Sequence, residues 1–254
     1  MGNEFYRAGD ERSARVRELF TRIAKKYDLV NDLQSFGLHR YWKRRLIRLA
    51  RVRSDERALD VCCGTGDLAF MLAQTGARVF GADFTENMLS VAIKRGEASK
   101  PPATTDALPL VSGAETVPCF VQSDALALPF GDASFDLVTM AYGLRNLADV
   151  KTGLQEMQRV AKPGARILIL EFGKPDNPAW RALYFTYLKL FVPVLGRFFC
   201  GSASAYAYIL ESLRNYPGQH AVAAQMRELN LTQVKIVSFW GGVMTINYGE
   251  KPSA

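Results

Sequence analysis

The 254-residue sequence is poor in the side chains that usually bind metals or form cross-links: it has four cysteines, Cys62, Cys63, Cys119 and Cys200, and two histidines, His39 and His220. No two cysteines are spaced two to four apart, so neither a disulfide framework nor a zinc knuckle is expected. Two histidines do not complete a zinc site, and no metal is assigned. No apolar leader precedes the charged start MGNEFYRAGDERSARVRELF, and no uninterrupted apolar run approaches the roughly 18 residues that span a bilayer. The expectation is a cytoplasmic protein. Internal repeats and a recognisable RNA-binding module are also missing.

A large apolar fraction, 48% of the residues, is enough for a full core in one main domain with appendages. The charge is uneven. Residues 1–57 carry a net +7 and the remainder carries none. A basic segment suits nucleic acid, an anionic membrane surface, an acidic substrate or simply solvent, and its sign does not choose among them.

In ARVRELFTRIAKKYDLV, Val16, Phe20, Ile23 and Tyr27 recur at spacings of four, three and four, the pattern of one face of an amphipathic helix. A second basic helix is expected in HRYWKRRLIRLARV. Strand-like RALDVC, RVFGAD, CFVQ, FDLVTMA and RILILEF then alternate with helical stretches from Asp67, in TENMLSVAIKRG and in DVKTGLQEMQRVA, which argues for a parallel, doubly wound sheet. Residues 97–118 are rich in breakers and read as a loop.

The first strand runs into a glycine turn in ALDVCCGTGDLAF. Asp60 ends the strand, and Gly64-Thr65-Gly66 turns without β-carbon obstruction at its two tightest points. The following helix offers its N-terminal amides to a ligand, so this is a nucleotide loop. Cys62 and Cys63 are packing residues on its ascending side. GTGDLA also satisfies a dinucleotide pattern, with Asp83 ending the second strand, so the loop alone leaves a nicotinamide open. S-adenosylmethionine is favoured by the acid on the first strand, which suits an ammonium group, and by Asp124 in QSDALALPF, placed to accept from an adenine amino group. It is favoured also by the fourth strand, which ends at the carboxyl edge of the sheet, where Ala141 lies.

The blocks KKYDLVNDLQSFGLHRYWK, LDVCCGTGDL, SDALALPFGDASFD, YGLRNLAD, RVAKPGARILILEFGKP and SAYAYILESLRNYP resemble the ubiquinone/menaquinone biosynthesis C-methyltransferases, within the class I S-adenosylmethionine-dependent methyltransferases. The resemblance covers roughly residues 14–248. It implies a Rossmann-like seven-stranded α/β sheet, with QVKIVSF and GVMTINYG as a closing antiparallel hairpin. It also implies basic N-terminal helices over residues 1–53 as part of a cap, and a methyltransferase domain over residues 54–254 with cap helices near 179–216. Thr65 and the Gly64 and Gly66 backbone would hold S-adenosylmethionine, with Asp83 on the ribose and Asp124 and Ala125 near adenine. The acceptor would be a prenylated hydroquinone methylated on a ring carbon. Some positions depart from the family pattern: Cys62-Cys63 stand where relatives often have Ala-Gly and broader methyltransferases a first glycine, Gly173 stands where many carry serine, and Ala165 replaces a glycine.

A ring carbon is a poor nucleophile until a neighbouring phenol loses its proton, so the enzyme needs alignment and help with one proton. Arg145 and Asn146 are the catalytic candidates, stabilising the developing phenolate or holding a water that takes the proton. Arginine stays charged near neutral pH and is an electrostatic partner rather than a base. The alternative for the same residues is a salt bridge and a turn cap. Tyr27 is a candidate to cap the cofactor or touch the quinol, or else belongs to the core. The aromatic stretch WRALYFTYLKLFVPVLGRFFC, broken by Pro193 and Gly196, reads as a pocket-lining or interfacial helix or as a core helix of the cap. The expected partners are the quinol, a peripheral contact with the inner face of the membrane and a second copy of the chain. A nucleic-acid acceptor is not expected, since the NPPY-type block of amino-group methylators is missing. A methyltransferase acting on another lipophilic or a nucleic-acid acceptor, a nicotinamide-dependent oxidoreductase and a catalytically silent binding protein are the competing classes.

Overall fold

The computed structural model describes residues 37–98, 117–200 and 204–253, together with Glu18, Thr21 and Ser35; the side chains of residues 191–209 are not described. The helix expected around Val16–Tyr27 and most of the 97–118 loop lie outside the described residues.

Helix α1, Leu38–Ala50, comes first, and His39, Trp42, Lys43, Leu46 and Ala50 form its buried stripe. These fall at three- and four-residue intervals, so one side faces the sheet and the other faces solvent. Next come β1 (Arg57–Val61), α2 (Asp67–Ala73), β2 (Arg78–Asp83), α3 (Glu86–Ala98), β3 (Cys119–Gln122) and β4 (Phe135–Ala141). A 3₁₀ turn over Leu144–Asn146 leads into α4 (Val150–Val160), whose first turn is capped by Asp149 Oδ1 accepting from the Lys151 and Thr152 amides at 2.8 and 3.3 Å. Then follow β5 (Ala161–Phe172), α5 (Pro178–Cys200), α6 (Ser204–Asn215), α7 (Gln219–Glu228), β6 (Thr232–Phe239), a 3₁₀ turn over Trp240–Gly242 and β7 (Met244–Glu250).

The seven strands form one sheet in the order β3-β2-β1-β4-β5-β7-β6. The first five are mutually parallel, while β7 is antiparallel to both β5 and β6. The closing hairpin is therefore present as expected. Strand β1 is buried from Ala58 to Val61, as an inner parallel strand covered on both faces must be. Two apolar clusters fill the two faces. One gathers Phe135, Met140, Leu154 and Met157 with Tyr184 and Leu188 of α5 and Tyr216 just after α6; the other gathers Trp42, Leu46, Leu68 and Leu72 with Ile246 of β7.

Helix α1 packs on β5 and α2, so this part of the basic N-terminal stretch belongs to the layer that covers the sheet. Helix α5 runs through Pro193 and Gly196, where the sequence places breaks. Proline removes one helical donor, and the buried residues Tyr184 and Leu188, in a helix packed on α6, sustain the element despite that loss. Among the described residues no helix is long and apolar enough to cross a membrane.

Candidate active site

A cleft opens at the carboxyl edge of the sheet, lined by the segments that leave β1, β2, β3 and β4. This is where an open α/β sheet binds ligands, since successive loops diverge there. Of the residues expected to hold the cofactor, Gly64, Asp83, Asp124, Ala125 and Ala141 line it.

Asp83 ties two loops together. Its Oδ2 accepts from the Gly64 amide at 2.8 Å and its Oδ1 from the Thr85 amide at 2.8 Å, so the glycine loop and the start of α3 are fixed to one carboxylate. Burial pushes its pKa up, and the bonds from Thr85 and Gly64 oppose that shift. Asp124 Oδ1 accepts from the Leu126 amide at 2.9 Å, closing the turn after β3. Beside it, the buried Ser123 Oγ lines the same cleft and has no hydrogen-bond partner among the described residues. A buried hydroxyl left in this way is a group a polar ligand would satisfy.

Asp60, Thr65 and Gly66 do not line the cleft but stand behind it. Asp60, 1% exposed, accepts from the Thr139 hydroxyl at 2.9 Å. Burial raises its pKa to about 7, against the opposing effects of the Thr139 bond and the Lys43 charge. Thr65 is also buried, and the Arg95 guanidinium donates to its carbonyl at 3.0 Å and to its hydroxyl at 3.4 Å. Arg95 and Lys43 both reach Asp67, at 3.4 and 2.7 Å, so the loop is braced from the rear by a three-residue ion network. Burial alone would raise the Asp67 pKa, but the two cations hold it below the usual carboxylate range. Gly66 has φ 81°, and a β-carbon there would lie 2.8 Å from the Phe120 ring, so the residue meets both a left-handed backbone and a filled space.

The cysteines pack, as the sequence suggests, and Cys62 also lines the cleft. It has φ 56°, a left-handed conformation that glycine adopts without steric cost and a β-carbon disfavours. Burial, followed by the Asp83 charge, pushes both the Cys62 and the Cys63 thiol well above their ordinary pKa, so neither is a ready nucleophile.

Asn146 faces the cleft and Arg145 does not. The Arg145 guanidinium, 7% exposed, donates to Glu171 Oε1 at 2.5 Å and to the Tyr142 carbonyl at 2.7 Å. The Arg145 amide donates to Glu171 Oε2 at 3.2 Å, and Asn146 Nδ2 donates to the Tyr142 carbonyl at 3.2 Å. One buried carboxylate thus fixes the turn that carries both candidates, and the sequence reading did not single it out. Its signal was present, because an acid at the end of the apolar strand RILILEF is costly to bury unless a cation meets it. Burial leaves the hydroxyls of Tyr184 and Tyr216 harder to deprotonate; the nearby Glu171 charge acts in the same direction and the Arg145 charge opposes it. Tyr27 lies outside the described residues.

The fold is shared with solved S-adenosylmethionine-dependent methyltransferases at low identity. A putative enzyme of this class from Methanococcus maripaludis superposes with a TM-score of 0.62 at 17% identity, covering 93% of this chain and 94% of the other. A possible histamine N-methyltransferase from Thermotoga maritima gives 0.61 at 17% identity over 92% and 99%. Sequence relatives are nearer. The ubiquinone/menaquinone biosynthesis C-methyltransferase UbiE of Ectopseudomonas mendocina is 40% identical over 246 residues, which is 95% of this chain and 91% of the relative. The demethylmenaquinone methyltransferase of Bacillus subtilis is 38% identical over 245 residues, 95% and 99% of the two chains. The family model of the ubiE/COQ5 methyltransferases matches residues 8–251. With a cleft at the carboxyl edge of a seven-stranded sheet, a braced glycine loop and that match over almost its whole length, the chain belongs to the ubiE/COQ5 methyltransferase family.

Proposed function

We propose that this chain catalyses methylation of a ring carbon of a prenylated hydroquinone in menaquinone or ubiquinone biosynthesis, with S-adenosylmethionine as the methyl donor. The family match over residues 8–251 carries this reading, and the composition of the cleft supports it. The donor supplies an electrophilic sulfonium methyl. The residues present fit it: Asp83 is the acceptor for ribose hydroxyls, Asp124, Ala125 and Ser123 form the adenine end, and the Gly64 backbone bounds the loop. The work left to the protein is to hold donor and acceptor in line, to exclude water and to ease one phenolic proton away.

Asn146, on the cleft wall, is assigned to the acceptor oxygen. Arg145, held one layer behind by Glu171, orients it through the shared Tyr142 carbonyl and supplies positive potential to the developing phenolate. The protein is read as working in the cytoplasm at the inner face of the membrane, where a prenylated acceptor resides.

The direct test supplies purified protein with methyl-labelled S-adenosylmethionine and either short-tailed demethylmenaquinol or the corresponding methoxy-benzoquinol, and locates the label by mass spectrometry. Label on a ring carbon is expected and names the acceptor. Intact donor binding without transfer to either quinol would overturn the assignment.

A further inference from the structure

Five of the seven exposed large apolar side chains among the described residues gather on connected elements: Tyr41, Trp180, Leu183, Leu190 and Trp240. Leu183, Leu190 and Trp240 are 59, 56 and 60% exposed, which is unusual for side chains of this size. They form one ledge. The Tyr41 ring of α1 meets Phe239 at the end of β6 edge-to-face at 6.2 Å, and Trp240 follows directly. The Trp180 indole N–H donates to the Trp240 carbonyl at 2.9 Å, and Trp180, Leu183 and Trp240 line an open groove with Asn177 and Ala179. Strand β6 is antiparallel to β7, as β5 is, so β6 ends at the same edge of the sheet as the strands that frame the cleft.

Exposed cations flank the ledge, and Asp176, which precedes the groove residue Asn177, is met by His220 Nε2 at 2.8 Å. On α1, Arg40, Arg44 and Arg48 repeat every four residues on the side opposite the buried stripe, and all three are exposed. Neither Arg44 nor Arg48 has an ion pair among the described residues. On α5, Arg181 and Lys189 stand exposed beside Leu183 and Leu190.

Exposed indoles and leucines flanked by exposed cations are the chemistry of a surface that seats in the headgroup region of an anionic bilayer. From this juxtaposition we propose that the Tyr41–Trp180–Leu183–Leu190–Trp240 ledge, with the α1 arginine row, is the face by which the protein docks on an anionic lipid surface. The proposal rests on the reading of the acceptor as a prenylated quinol, and it specifies where that acceptor's bilayer meets the protein. Trp180 and Trp240 enter the interface, the arginines stay at the phosphate level, and the carboxyl edge with its cleft turns toward the lipid.

The test uses the full chain and three readouts: flotation with vesicles of phosphatidylcholine alone or carrying about one-third phosphatidylglycerol, tryptophan emission, and turnover of a short-tailed soluble quinol. Wild type is expected to float with the anionic vesicles only, to lose that binding as salt rises, and to shift its emission to the blue. Trp180→Ala with Trp240→Ala, and separately Arg44→Glu with Arg48→Glu, are each expected to weaken vesicle binding about tenfold or more with soluble-quinol turnover unchanged. Wild type that binds no vesicle, or variants that bind as well as wild type, would overturn the proposal. So would a wild-type dimer that these substitutions dissociate, because the ledge would then face a second copy. Vesicle binding without turnover of any quinol would overturn the catalytic reading and leave the docking face standing.

Discussion

On the β1–β2 side of the cleft the buried Asp60 meets one neutral hydroxyl, that of Thr139, whereas on the β4–β5 side Glu171 is fully buried against the Arg145 guanidinium. Both acids end or nearly end an inner strand, and neither touches solvent. The first region accepts a carboxyl group whose pKa has risen to about 7, and so tolerates loss of its charge. The second keeps a charge pair away from water, where the two partners depend on each other. The β1–β2 side is organised by backbone amides converging on carboxylates, and the β4–β5 side by an ion pair that aims a turn.

Removing one partner of the ion pair should have the largest effect. Glu171→Met leaves the Arg145 charge buried without its partner and is expected to cost about 3–5 kcal/mol in denaturant unfolding. Adding Arg145→Met should recover most of that stability while quinol turnover stays lost. Stability that does not return would mean that the pair is not what holds this region.

Asp60 should respond to pH instead. Its folded-state pKa of about 7 lies above the ordinary value of about 3.9, so the native state retains a proton that the unfolded chain has released. Its contribution is fully present below about pH 4 and is lost as the pH rises through about 7. Against Asp60→Asn, which keeps an acceptor for Thr139 and does not titrate, wild type is expected to lose on the order of 3–4 kcal/mol between those limits. Parallel pH profiles for the two proteins would show that Asp60 is ionised throughout.

Asp83→Asn sharpens the contrast on the β1–β2 side, where S-adenosylmethionine is proposed to bind. An amide cannot serve both the Gly64 and the Thr85 N–H as an acceptor and carries no charge, so S-adenosylmethionine affinity by calorimetry should fall about ten- to a hundredfold. The fold should survive. The smallest effect is expected at Gly173, where a β-carbon would lie 2.2 Å from the Gly242 carbonyl oxygen. Gly173→Ser should cost about 1–3 kcal/mol, read as a lower melting temperature, even though serine is common here in the family as the sequence reading has it.

Much of the fold was legible in the sequence because inner parallel strands are nearly continuous apolar runs bounded by acids and glycines. RVFGAD and FDLVTMA, both inner strands, match the observed strands residue for residue, and so does CFVQ at the edge of the sheet. Asp83 and Asp124 were legible because an acid that ends a strand at the carboxyl edge, or follows it within two residues, has the cleft beside it. The side of the loop on which Asp60, Thr65 and Gly66 stand was not legible, because strand position says nothing of which residues a rear brace such as Arg95 holds away from the ligand. Nor does one-dimensional spacing bring Glu171 to Arg145, 26 positions apart, although the cost of a lone buried acid calls for such a partner.

The strand order has a consequence for biogenesis. Met244–Glu250, the final strand in the sequence, is an inner strand that separates β5 from β6 and supplies Met244, Ile246 and Tyr248 to the second apolar cluster. A chain growing on the ribosome has synthesised β6 before the strand that must join it to the sheet exists. Strand β5 then presents an open apolar edge until Met244–Glu250 has emerged, and such an edge is exposed to mispairing in the meantime.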